Sequence, residues 1–354
     1  MPKQGRDIGE IAKWILEQQE KKEDLIVPDK AIEMIPLDDK DNPVIIKTDR
    51  DNLSLVPTKT AHSQIATKLK VPFKYYERML NEQPQLLADN VNTWFQESED
   101  DRMVRTYKGD PETQENGVMR AYLSDKYFRF DYDNVAEASL PVIAEKQLNI
   151  VSSEITEKKL YIKAVSDRLT ADVKQGDPVR GGIIISDSEV GFGSVKVQSY
   201  VERLVCMNGM IAGDVFNRRH IGVQQGVAQF LTTNTMNKTG EALMGQIKDT
   251  IAGVLSEDGF TNIVNKLRDS SGIQVAKPEK AVEVLQKQFS FTDNEKESVL
   301  SHLVTGGDLS QWGLANAVTR ASQDIESYDR ATEFESFGWD TVNLSQSQLE
   351  PVLA

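Results

Sequence analysis

KKLYIKAV (158–165) and SVKVQSYVERLVCM (194–207) change character every second residue. A β-strand turns successive side chains to opposite faces, so this period of two reads as strand. NIVSSEI (149–155), GGIIISDS (181–188) and RRHIGV (218–223) share the β-branched enrichment. Gly176-Asp177, Gly181-Gly182, Gly191, Gly193 and Asn208-Gly209 break the run into short pieces with turns between them. Residues 147–222 therefore predict a mostly antiparallel sheet. Just before it, Val135, Ala138, Leu140 and Ile143 recur at helical spacing up to about Lys146, with Asp133 or Asn134 as the expected N-cap. A sheet with a helix packed on it gives an α+β class.

The flanks differ. Ile8, Ile11, Trp14 and Ile15 mark an amphipathic helix over 7–22. Residues 23–59 read as short strands and loops. AHSQIATKLKVPFKYYERML (61–80) has the outline of a helix-turn-helix, whose second helix would present Lys74, Tyr75 and Arg78. MVRTY and VMRAYL flank a turn-rich loop at 107–117 and read as a hairpin. Beyond about residue 224 the chain is helical again, with Asp293 and Ser310 as expected N-caps. The expected organisation is a mixed N-terminal segment over 1–100, a central α+β domain over 101–223 and a C-terminal helical region over 224–354.

The 354 residues contain no apolar run long enough to span a bilayer, and the N-terminus has acids where a secretory signal would be apolar. With a single cysteine, a reducing cytoplasm is the expected compartment. The net charge of −14 is unevenly spread: 17 basic and 17 acidic residues fall between Arg102 and Gly222, so the excess acid lies entirely in the flanks. That argues against a basic glove over the whole molecule and leaves room for a local basic face.

Cys206 lies in YVERLVCMNGM (200–210). A thiol nucleophile needs a base, and of His62, His220 and His302 only His220 is in the same region. The expected role is a small buried apolar residue. Gly191-Phe192-Gly193 is followed by strand rather than helix, so it predicts a β-bulge or tight turn and not a phosphate loop. One Cys and three scattered His do not make a zinc set. Asp131, Asp133, Asp177, Asp187 and Glu189 show no spaced cation motif. No metal and no cofactor is expected.

Aromatic and basic residues interleave in the centre. Single-strand binders combine cations for phosphates with rings for bases. The candidate contact residues are Arg120, Tyr122, Lys126, Tyr127, Arg129, Lys159, Tyr161, Lys163, Arg203, Arg218 and Arg219, with Lys159, Tyr161 and Lys163 on one strand face. An ordinary solvated face is the competing reading.

RAYLSDKYFRFDYDNVAEASLPVI (120–143), SSEITEKKLYIKAV (152–165), GDPVRGGIIISDSEVGFGSVKV (176–197), YVERLVCMNGM (200–210) and WGLANAVTRAS (312–322) together resemble the phage/plasmid-like proteins grouped as domain of unknown function 932. The resemblance covers roughly residues 60–340. Met207 stands where members usually carry Thr in a Cys-Thr-Asn-Gly turn. The resemblance implies a mobile-element setting in the cytoplasm and carries no catalytic residues. The expected function is a non-catalytic accessory protein that binds or anneals single-stranded DNA, in a homo-oligomer, with acidic helices free for a protein partner. The alternative is a structural, assembly or host-interaction protein with no nucleic-acid role.

Overall fold

A computed structural model describes residues 5–48, 53–110, 116–220, 233–345 and 348. The fold is α+β, and it is built on two sheets rather than one. The first has six strands in the order β1-β5-β6-β4-β3-β2. These are β1 (Lys22–Pro28), β2 (Ile32–Pro36), β3 (Val44–Thr48), β4 (Leu53–Pro57), β5 (Asp101–Tyr107) and β6 (Gly117–Ser124). All of its pairings are antiparallel except β4 with β6. The short strands read from residues 23–59 and the MVRTY/VMRAYL hairpin are thus parts of one sheet.

One face of this sheet packs on α2 (Lys59–Lys68), α3 (Phe73–Glu82) and α4 (Pro84–Glu97), burying Leu25, Val27, Ile46, Leu55, Ile65, Tyr76, Val91, Phe95 and Val104 together. Thr58 caps α2 by accepting from the Ala61 amide, and Pro84 opens α4 where its missing N–H costs nothing.

The second sheet is antiparallel, in the order β11-β10-β9-β8-β7. Its strands are β7 (Asn149–Ile155), β8 (Leu160–Asp172), β9 (Pro178–Asp187), β10 (Val195–Arg203) and β11 (Asn208–Arg218). Helices cover both faces. On one side α1 (Ile8–Lys21), α5 (Tyr132–Glu145) and α6 (Thr233–Val254) enclose Ile162, Ala164, Ile183, Ile185, Val195 and Val197. On that same face α7 (Glu257–Ser271) continues the cover over Val179 and Val201, beside Trp312 of α10 (Gln311–Ala321), while the other face carries Tyr161, Ile184 and Tyr200 under Tyr328 of α11 (Tyr328–Val342). Two-sided cover explains why β9 is buried almost throughout, although its sequence also contains polar residues. Two further helices, α8 (Pro278–Phe289) and α9 (Asp293–Gly306), pack against α10 around Leu285, Phe291, Val299 and Phe334.

Several local expectations shift. Helix α5 begins at Tyr132 with Asp131 as its N-cap; Asn134 instead accepts from the Asp131 amide, closing the first turn. Thr292, not Asp293, caps α9, in a capping box with Glu295. Ser310 caps α10 as expected. The positive φ in YVERLVCMNGM belongs to Met207, at 51°. Asn208 and Gly209 already pair with Arg203 and Glu202 as the start of β11. The strand read from RRHIGV ends at Arg218, and residues 221–223 lie outside the described residues.

Candidate nucleic-acid interface

Alternation along β1 puts Leu25 and Val27 into the helix-covered core and turns Lys22 and Asp24 the other way. On that second face lies a charged junction with the other sheet. Arg105, fully buried on β5, donates to both oxygens of Asp24 at 3.1 and 3.0 Å. The same side chain donates to both oxygens of Asp131 at 2.7 and 2.8 Å and to the Glu189 carbonyl at 2.8 Å. Arg120 on β6 donates to Glu189 at 2.6 Å, and its guanidinium stacks 4.3 Å from the Tyr107 ring centre. Lys22 reaches Glu189 at 2.5 Å and Asp131 at 3.5 Å. Three cations thus face three carboxylates, with Arg105, Arg120 and Glu189 buried and Lys22, Asp24 and Asp131 partly so. Burial pulls the Arg105 guanidinium down, but Asp131, Asp24 and Glu189 outweigh it and hold it above its ordinary value. The Asp131 carboxyl is correspondingly held low by Arg105 and Lys22 against the effect of burial.

Asp131, Asp133 and Glu189 bring carboxylate oxygens within 4.8 Å of one another, a spacing that could hold a cation. Lys22 and the two arginines already occupy Asp131 and Glu189, so a metal ion would have to displace them.

The loop after β9 shapes the rest. Asp187, Ser188 and Glu189 are all buried. His220 Nδ1 lies 3.1 Å from the Phe128 carbonyl, and its Nε2 lies 2.7 Å from Asp187. A carbonyl only accepts, so Nδ1 carries hydrogen and the Nε2 contact needs one more proton on His220 or Asp187. Burial raises the Asp187 carboxyl, against the pull of His220. The Phe128 amide donates back to the His220 carbonyl at 3.3 Å. Tyr127 stacks on the His220 ring with centroids 5.1 Å apart and donates its hydroxyl to the Ser188 carbonyl at 2.7 Å.

This two-way pairing joins residues 126–129 to residues 218–220. It brings together five of the eleven expected contact residues, Lys126, Tyr127, Arg129, Arg218 and Arg219. Arg129, Arg218 and Arg219 are exposed and Lys126 is half-buried. Among the described residues only Arg129 of these has an ion pair, to Asp24 at 3.5 Å.

The others sit elsewhere. Arg120 is in the junction. Tyr122 is buried against Phe95 with its hydroxyl on Asp29. Tyr161 is buried and donates to Asp329 at 2.9 Å. Lys163 is buried under Tyr328 and pairs with Glu335 at 2.6 Å. Arg203 grips Asp177 at 2.5 and 3.0 Å and lies 3.4 Å from the Cys206 sulfur. Lys159 is half-buried under α11. Lys22, Asp24, Arg105, Asp187 and Glu189 were not expected as a unit; their only trace in the sequence is charge inside otherwise apolar strands and strand ends. On α3, Lys74, Tyr75 and Arg78 are exposed, and Arg78 pairs with Glu82 one turn on. Among the described residues no helix is long and apolar enough to cross a membrane.

A family model described as Domain of unknown function (DUF932) matches residues 124–335. No curated protein and no solved structure matches the chain.

Proposed function

The chain belongs to this family of unknown function, and we propose that it binds nucleic acid without catalysis, through the phosphate backbone, at the corner formed by Lys126, Arg129, Arg218 and Arg219. The observation that carries the reading is the Phe128–His220 pairing, which clusters these cations on a chain that is otherwise strongly acidic. Clustered cations gain by releasing counterions from a phosphate chain. Base stacking contributes little to this reading, because Tyr122 and Tyr161 are buried and Tyr127 is committed to His220.

Fluorescence anisotropy with labelled single-stranded and duplex DNA across a salt series tests it. Four backbone contacts to a single strand give a log–log salt slope of about −3. Replacing both Arg218 and Arg219 by Ala should lower its magnitude by about 1.4. Lys74→Ala/Arg78→Ala on α3 should leave it unchanged. Absence of binding at low salt, or an unaltered slope in the Arg218/Arg219 variant, overturns the proposal.

One observation favours the alternative of a protein partner: Tyr75, Leu86 and Trp94 are about half exposed on α3 and α4. Nuclease-insensitive co-purification of a discrete protein, lost on Trp94→Ala, would support that reading over the first.

A further inference from the structure

Where α2 and α3 meet strands β3 and β4 of the first sheet, a pocket of about 220 Å³ opens beside the loop before β3. Its inner walls are Val44, Pro57, Phe73 and Leu80, all buried or half-buried. The one fully buried polar side chain that lines it is His62 of α2. The charged residues are more exposed and sit toward the mouth. Lys59 and Glu77 pair with each other at 3.0 Å, and the Lys59 ammonium lies 5.9 Å from the Phe73 ring centre. Lys40 and Asp41 add one charge of each sign.

His62 is more than nine-tenths buried, at 6% exposure. Its Nδ1 lies 3.0 Å from the hydroxyl of Tyr76, which is buried outside the pocket lining. Nε2 has no partner among the described residues and is on the ring edge left for the pocket. Which nitrogen carries the hydrogen follows from Tyr76. Its phenol has no other acceptor among the described residues, and a buried O–H without an acceptor is costly. Tyr76 therefore donates to Nδ1. Burial pulls the imidazole from 6.5 down to about 4, so the ring is neutral and keeps its single hydrogen on Nε2. The floor of the pocket thus presents one N–H donor and no charge.

A neutral imidazole offers an anion little, and the charges at the mouth cancel in pairs. An apolar cavity of about 150 Å³ is enough to take up benzene. A pocket of about 220 Å³ therefore holds one aromatic ring with a small substituent, and Phe73 supplies a ring for it to pack on. We propose that this pocket binds a neutral single-ring heteroaromatic molecule, the size of a pyrimidine base or a pyridine carboxamide, whose ring nitrogen or carbonyl oxygen accepts from His62 Nε2–H. The site belongs to the first sheet. It does not depend on the Arg218/Arg219 corner.

Titration of the full chain with uracil, and separately with nicotinamide, tests the assignment, read by proton–nitrogen correlation of the histidine rings. The chain has three histidines, and His62→Gln identifies the His62 signals by their loss. In the free protein Nε2 of His62 should carry hydrogen and Nδ1 should not. Saturable binding of at least one probe is expected, with the His62 Nε2 signal moving and the His302 signals staying in place. Nicotinate, the same ring with an anionic group, should bind about tenfold more weakly than nicotinamide. Val56→Phe, which fills the pocket, should weaken binding about tenfold or more. Leu80→Trp gives an independent check should Val56→Phe fold poorly. Arg218→Ala/Arg219→Ala should leave binding intact, which separates this result from the fate of the nucleic-acid reading. An Nε2 without hydrogen, no saturable binding of either probe, binding that leaves the His62 signal unmoved, nicotinate bound more tightly than nicotinamide, or affinity unchanged in both filled variants overturns the proposal.

Discussion

Arg105 places one guanidinium nitrogen on both carboxylate oxygens of Asp131, at 2.7 and 2.8 Å, and so ties the six-stranded sheet to the cap of the helix that packs on the other sheet. The same nitrogen together with Nε holds Asp24, and the other terminal nitrogen donates to the Glu189 carbonyl. Removing the arginine leaves Asp24 and Asp131 short of a cation in a buried site. Arg105→Ala should cost about 3–5 kcal/mol in chemical denaturation. Arg105→Lys should recover little, because an ammonium cannot span both acids and the Glu189 carbonyl at once. A loss below about 1 kcal/mol would show that the junction contributes little to stability.

His62 gives the N-terminal half a pH dependence. It is buried on α2, with Nδ1 3.0 Å from the Tyr76 hydroxyl, and burial pushes its imidazole from 6.5 down to about 4. Unfolding releases it to its ordinary value, so between those limits the unfolded chain binds the extra proton. Stability from this residue is complete above about pH 6.5 and declines as pH falls toward about 4, by up to about 3 kcal/mol. His62→Gln keeps a polar partner for Tyr76 and should flatten that part of the denaturation profile. Parallel profiles for the two proteins would rule the effect out.

Lys163 illustrates how a residue read as a contact for nucleic acid can belong to the core. Its partner Glu335 is equally buried, and the lysine also lies 4.9 Å from the Tyr328 ring centre. Lys163→Met alone should destabilise by about 3–5 kcal/mol, because Glu335 is left buried and unpaired. Lys163→Met with Glu335→Leu should recover most of that loss. Nucleic-acid affinity per folded molecule should be the same in the double variant. Weakened binding with stability intact would return Lys163 to the interface.

The period of two in residues 149–203 was enough to find β7 to β10, because β-branched alternation survives burial. It was not enough to show that Tyr161 and Lys163 lie under a helix. A polar residue on an alternating strand looks the same whether it meets water or a buried partner, and Asp329 and Glu335 are more than 160 positions away. The first sheet was hidden for a related reason. Its strands β1 to β4 are only five to seven residues long, and their partners β5 and β6 follow three intervening helices. The charged corner was partly legible: Lys126, Arg129, Arg218 and Arg219 were each singled out, but nothing local announces the Phe128–His220 pairing that joins them. Start and stop chemistry transferred best where one side chain decides it, as at Ser310, and slipped by a residue where neighbours compete, as at Thr292 and Asp293.

Gly209 offers the sharpest test of the stretch YVERLVCMNGM. Its φ is not positive, so backbone freedom is not the reason for glycine there. The reason is space. A Cβ would fall 1.8 Å from the Tyr200 hydroxyl and 2.3 Å from its ring carbon. Tyr200 is itself buried beneath the helices on that face, so the ring has nowhere to retreat. Gly209→Ala should therefore cost about 2 kcal/mol or more through overpacking. Gly245→Ala on α6, where nothing lies within 4 Å of the added carbon, should gain about 0.5–1 kcal/mol from helix propensity. Denaturation midpoints of the two variants should move in opposite directions from the parent. If Gly209→Ala leaves the midpoint in place, Tyr200 does not pack over the start of β11 as described, and the tight turn at Met207 alone would have to account for the conformation of this stretch.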